Sequence, residues 1–146
     1  MLVKIEQLES IVEESLVRIK LIPDSVWLEK SDPLKWSKKE ILGHLIDSAQ
    51  NNLRRVIVAQ YDTQEKIVYD QDFWVQAQNY QLANTDEIIE LWYLINKQLI
   101  RSFLQLPADK YHFTTNVGRT SIEFLNMEEL LDMYIEHLDH HLNQIL

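Results

Sequence analysis

Only two glycines and three prolines interrupt the 146 residues of this chain, and that scarcity of backbone breakers constrains the fold most. Sheets built from many short strands need Gly, Pro, Asn and Asp turns at close intervals. The Leu, Ile, Glu, Gln and Lys that dominate here suit long helices instead. An all-α protein is expected. Ile5, Leu8, Val12, Leu16 and Ile19 recur at helical spacing and stop before Pro23, placing a first helix that ends near Ile22. Ser37-Lys-Lys-Glu40 is a capping box, after which Ile41, Leu45, Ala49, Leu53 and Val56 carry a second helix to about Tyr61. Asn84 and Glu87 cap a third, striped by Ile88, Trp92, Ile95, Leu99, Phe103 and Leu106 and stopped by Pro107. Asn126 and Glu129 cap a fourth, with Met127, Leu130, Tyr134, Leu138, Leu142 and Ile145 on one stripe.

Four helices that are each apolar on one side bury those sides together most simply as a four-helix bundle. The link between the first two helices favours antiparallel neighbours. The long connection from Asp62 to Ala83, between helices two and three, is suited to crossing the bundle, and Tyr69-Asp-Gln-Asp-Phe-Trp-Val75 concentrates aromatics and carboxylates within it. Tyr69 to Trp74 are candidates for a pocket mouth, against the blander role of packing the crossover. Trp27, Trp36 and Trp92 are expected at the core or at helix junctions. Tyr111 to Val117 alternates weakly ahead of Gly118, as an extended piece or a hairpin would.

With 46% apolar residues, a chain of this length has room for one domain, residues 1–146. A formal charge of −9 disfavours nucleic acid and anionic lipid, which need a cationic face. No apolar run reaches the roughly 18–20 residues of a spanning helix, and the charged N-terminus does not resemble an export signal. No cysteine is present, which removes thiolate ligands and cysteine nucleophiles together. Cytoplasm is the expected location.

Of five histidines, three fall within residues 137–141. His137 and His141 lie one turn apart and share the apolar stripe of the last helix, so both point inward and can close on one divalent cation. His140 is rotated about 100° from His141 and is expected at the edge of that face, as an outer hydrogen-bonding partner or a surface group. His44 flanks the apolar stripe of the second helix and is the candidate third ligand. Gly43 beside it permits close backbone approach. His112 lies in irregular chain and is expected to be exposed. Asp47, three residues after His44, has three readings: it orients a ligand, accepts a proton as a general base, or joins the coordination sphere.

A single histidine in an apolar stripe is more often a hydrogen-bonded core residue than a ligand. Three inward imidazoles shift that balance, because each buried polar group left unsatisfied costs about 1–3 kcal/mol. A shared metal removes the cost.

Trp36-Ser, Gly43-His-Leu-Ile-Asp47, Asn52 with Arg55, Thr120-Ser-Ile-Glu-Phe-Leu, and His137-x3-His141 with Gln144-Ile together make the chain resemble the DinB/YfiT-like superfamily over nearly its whole length. The resemblance implies a four-helix bundle, commonly dimeric, holding a divalent ion through His44, His137 and His141. Nickel or zinc is implied first, with manganese and iron as alternatives. It further implies either a hydrolase that activates metal-bound water, with Asp47 as first candidate base and His140 as a weaker one, or a transferase of a low-molecular-weight thiol. A small-molecule substrate is implied in both cases. An acidic thiol would need cationic anchors, for which Arg54, Arg55, Arg101 and Arg119 are available, although surface arginines more often form weak ion pairs. A non-catalytic, metal-stabilised dimeric interaction domain is the reading from a different class.

Overall fold

The computed structural model describes residues 1–62 and 65–146. Four long helices form its body: α1 (Leu2–Ile19), α3 (Lys38–Val58), α5 (Thr85–Leu104) and α6 (Met127–Ile145). Two short helices, α2 (Asp24–Trp27) and α4 (Gln71–Gln78), lie in the connections. The expected caps form. Ser37 Oγ accepts from the Glu40 N–H while the Glu40 carboxylate accepts from the Ser37 N–H, and Asn126 with Glu129 does the same for α6. Asn84 accepts from the Glu87 N–H at the start of α5.

Contacts between helices set their directions. Lys38, starting α3, donates to the Ile145 carbonyl ending α6, and His44 meets His137, so α3 and α6 are antiparallel. The Met1 amino group pairs with Glu128 and Lys4 with Asp132, so α1 and α6 run parallel. Tyr93 meets Glu13 and Lys97 meets Glu9, making α1 and α5 antiparallel. Lys39 reaches the Ala83 carbonyl just before α5, so α3 and α5 start at the same end.

That parallel pair explains the long connection, since the chain must travel back along the bundle between them. The stretch holds α4 and a 3-10 turn, Tyr80–Leu82, neither of which its weak periodicity announces. Residues 63–64 of the connection lie outside the described residues. One expectation is corrected: α1 and α3 each pack on α5 and α6. They therefore face each other across the bundle diagonal and are not side-by-side neighbours. The link through α2 makes the diagonal crossing, anchored by Trp27, which is fully buried in the core.

Leu8, Val12, Leu42, Leu45, Ile46, Trp92, Leu99, Phe103, Leu130, Tyr134 and Leu138 fill the interior. Tyr134 donates to Asn96 Oδ1 at 2.5 Å, satisfying the phenol at the bundle centre. The expected extended piece is a hairpin: β1 (Thr114–Asn116) pairs antiparallel with β2 (Phe124–Asn126). Ile67 of the crossover donates to the Asn116 carbonyl at 3.2 Å. The hairpin and the crossover are thereby tied together beside α3.

Candidate metal centre

The antiparallel packing of α3 and α6 brings His44, His137 and His141 together. One nitrogen from each ring lies within 4.8 Å of the other two. His44 is buried and the other two are half-buried. Ring centroids are 4.7–5.0 Å apart and each pair meets edge to face.

Neighbours on α3 and α6 hold the rings of His137 and His141 through their Nδ1 atoms. His137 Nδ1 is 3.3 Å from Ser48 Oγ, a hydroxyl that can donate or accept, and His141 Nδ1 is 3.2 Å from Gln144 Oε1, which accepts from it. A donating Nδ1–H leaves Nε2 as the lone-pair nitrogen, which is how metal-binding histidines are normally oriented. His44 Nε2 lies 3.0 Å from His137 Nε2. At that separation one ring must carry a proton between them, or both lone pairs must serve one cation. Trp36 lies against the His44 ring at 4.9 Å between centroids.

Electrostatics favour the neutral, ligating form. Burial is the first cause holding His44 at about 3 and His137 at about 4, against an ordinary 6.5, with the neighbouring histidines and Arg119 adding to it. Burial also lowers His141. These imidazoles keep their lone pairs at neutral pH. His44 Nδ1 is buried with no hydrogen-bond partner among the described residues, an uncompensated polar atom in a group that otherwise fits a divalent ion.

Asp47 is fully buried on α3 and stands outside the three-histidine group. Its Oδ1 accepts from Tyr80 at 2.6 Å and from Gln78 at 2.5 Å, while Oδ2 has no partner among the described residues. Burial raises its pKa, with the two hydrogen bonds opposing. Gly43 makes the Tyr80 bond feasible, because a Cβ there would fall inside the Tyr80 ring. Asn79, in the left-handed region at φ 48°, ends α4 and turns the chain into Tyr80.

His140 is exposed and accepts from Gln144 Nε2 at 2.9 Å, so it joins the centre through the residue that orients His141. His112 is exposed. Arg54 pairs with Glu65, and Arg101 is exposed in the last turn of α5. Arg55 and Arg119 line a cleft of about 400 Å³ that also contains His137, Ser48, Asn52 and Tyr69. A second cleft of about 880 Å³ is lined by Trp36, Ile41, Lys38 and Gln144, and Gln71 borders both. Tyr69 lines the smaller cleft and its ring meets Trp74 at a tilt, 5.3 Å between centroids, while Trp74 itself is not among the residues lining that cleft. Sequence reading misses Ser48 and gives Gln144 no role beyond its place in the family-like motif, although Ser48 lies one turn from His44 and Gln144 falls at i+3 and i+4 from the last two histidines.

No curated protein is significantly similar in sequence. Among solved structures, YfiT from Bacillus subtilis, a probable metal-dependent hydrolase with an unusual four-helix bundle topology, superposes with a TM-score of 0.82. Identity is 18%, over 97% of this chain and 83% of that one. Two structures of the mycothiol-dependent maleylpyruvate isomerase, one of them a mutant, give TM-scores of 0.81 and 0.80 at 10% and 12% identity. They match 97% of this chain, which spans 59% of the isomerase's length. At such identities the likeness is one of fold. The sequence model of the DinB superfamily matches residues 7–145, a span that includes all three histidines and nearly all of the four long helices, and the chain belongs to that superfamily.

Proposed function

We propose that this protein is a metal-dependent enzyme in which His44, His137 and His141 hold one divalent ion, nickel or zinc, and that its reaction is hydrolysis. The observation that carries this is the convergence of three neutral imidazoles within 4.8 Å at the side of an open cleft. Three protein ligands leave coordination positions for water or substrate, the pattern of a catalytic site. Bound by these three residues, a divalent ion would supply Lewis acidity, activating water by lowering its pKa to about 7 or polarising a carbonyl.

The chain's own residues do the rest. Gln144 sets the tautomer of His141, and Ser48 holds the orientation of the His137 ring. Trp36 covers one face of His44. Asp47 is the proposed proton acceptor, through Oδ2, since Tyr80 and Gln78 occupy Oδ1. Burial moves its pKa upward, in the direction a general base at neutral pH requires. Asp47→Asn should then lower kcat and abolish the acidic limb of its pH profile while leaving metal content unchanged.

Transfer of a low-molecular-weight thiol is the second reading, favoured by one observation. Two clefts meet at Gln71, one containing His137 and the other Trp36 and Gln144, an arrangement suited to two molecules. Elemental analysis of untagged protein tests the common premise. One divalent ion per chain is expected, lost in His44→Ala, His137→Ala and His141→Ala and retained in His112→Ala. Protein that takes up no nickel, zinc or manganese, or equal uptake in all four variants, would remove both readings. Screening of esters, amides and thiol–electrophile pairs then separates hydrolase from transferase.

A further inference from the structure

Arg55 is a buried cation that forms no ion pair among the described residues. It is 7% exposed. Its Nε–H and one Nη2–H converge on the Ile67 carbonyl at 3.1 and 2.6 Å, and Nη1 donates to Asn52 Oδ1 at 3.2 Å. Of the five N–H groups of a guanidinium, two are left without a partner among the described residues. No carboxylate of those residues forms an ion pair with Arg55 or Arg119. Removing a charge from water costs several kcal/mol unless an opposite charge meets it. In a chain of net charge −9, a buried Arg55 with no ion pair among the described residues is conspicuous.

Both cations face the same space. Arg55 and Arg119 line the cleft of about 400 Å³ whose other walls include the hydroxyl or amide groups of Ser48, Asn52, Thr120 and Ser121 and one carboxylate, that of exposed Glu123, which forms an ion pair with neither arginine. Arg119 is placed by its bond to Gln71 Oε1 at 3.1 Å, and its guanidinium lies 5.9 Å from the Tyr69 ring centre. His137 lines that cleft too, so whatever binds between the arginines lies beside the proposed metal position. The volume falls near the small end of ligand sites.

We propose that this cleft binds the carboxylate of a small organic-acid substrate, held by Arg55 from below and Arg119 from the mouth, with the substrate's reacting atom directed toward the three histidines. The last clause rests on the metal reading; the anion site does not. A guanidinium presents a planar fork that matches the two oxygens of a carboxylate. Arg55 supplies a fixed half, held by backbone and Asn52. Exposed Arg119 supplies an adjustable half, and Ser48 and Asn52 line the same cleft as His137.

The test is isothermal titration of metal-free protein with succinate, using succinamide and inorganic phosphate as comparison probes. The chains titrated are wild type, Arg119→Gln, Arg55→Lys and His141→Ala, each checked for folding by circular dichroism. Saturable succinate binding is expected, with no heat from the neutral diamide and weaker binding of phosphate. Arg119→Gln should weaken succinate by about tenfold or more, as loss of one charge-assisted hydrogen bond predicts, while still binding nickel or zinc. His141→Ala should bind succinate as wild type does but lose the metal. Absence of succinate binding in wild type, equal affinity in Arg119→Gln, equal binding of succinamide, or tighter binding of phosphate would each overturn the proposal. Since Arg119 is exposed, that variant carries the test even if Arg55→Lys does not fold. Succinate binding in a wild-type protein that takes up no metal would leave the anion site standing and remove the metal reading alone.

Discussion

Ser48 lies one helical turn beyond His44, yet its hydroxyl serves His137 on the facing helix. It also takes a weak bond from Asn52 at 3.4 Å and interacts with the Tyr69 hydroxyl. A small residue on α3 thus links one proposed ligand to the crossover. Ser48→Ala and Gln144→Leu each remove the hydrogen-bond partner that orients a proposed ligand, and each should weaken metal binding by about 10–100-fold, as read by competition with a chromogenic chelator. Proton linkage gives a second expectation. His44 and His137 are held at about 3 and about 4, mainly by burial, whereas in the unfolded chain they titrate near 6.5. The unfolded state therefore binds more protons as pH falls below 6.5, and metal-free protein should lose stability progressively from there toward pH 4. Urea midpoints across that range check it, and His137→Gln should flatten the slope. Helical spacing makes His44, His137 and His141 legible in the sequence because the direction of a side chain on one helix is fixed by its number. The roles of Ser48 and Gln144 are less so. Ser48 reaches His137 only through the registration of α3 against α6, whereas Gln144 serves His141 within α6, by a contact that i, i+3 spacing permits without requiring it.

Among the elements, the long helices are readable because each carries a continuous apolar stripe and three of the four begin at a polar cap. In contrast, α4 buries only Val75, too little to impose a period, and its start is marked by a single cap, Asp70 accepting from the Phe73 N–H at 3.0 Å. The C-terminal end of α4 matters more than its body: Gln78 and, two residues on, Tyr80 reach Asp47, so the crossover is pinned to α3 next to His44. Gly43→Ala is the informative substitution. Alanine is worth about 1 kcal/mol more than glycine inside a helix, but the new methyl meets the face of the buried Tyr80 ring, and overpacking of that kind costs about 1–3 kcal/mol. The ring cannot withdraw without giving up its bond to Asp47. Net destabilisation of about 1–2 kcal/mol in urea unfolding is expected. Greater stability in the variant would show that Tyr80 moves freely.

At the scale of the whole molecule, the bundle and the crossover were foreseeable and the pairing of helices was not. An apolar stripe says that a face is buried without saying against which neighbour. The stripes of α1 and α3 are equally compatible with adjacent and diagonal positions, and the buried Trp27 of the intervening link accompanies the diagonal one. No helix of the described chain is long and apolar enough to cross a membrane. We propose that the protein works as a homodimer, as its resemblance to the family implies. Sedimentation equilibrium should return twice the 17.4 kDa of one chain, and a monomer mass at micromolar concentration would remove the proposal.

His44 and His137 touch although 93 residues separate them in the chain. In a sequence without cysteine, an ion held between them is the available cross-link, closing a loop that spans most of the molecule. A permanent bridge over about 100 residues is worth about 4–5 kcal/mol in the chain-entropy picture, and a coordinated ion approaches that as its concentration rises above its Kd. Unlike a disulfide, such a staple is set by metal supply and not by redox state. A chelator should accordingly do to this protein what a reductant does to a secreted one: lower its Tm and hasten its unfolding, with both restored when the ion is returned.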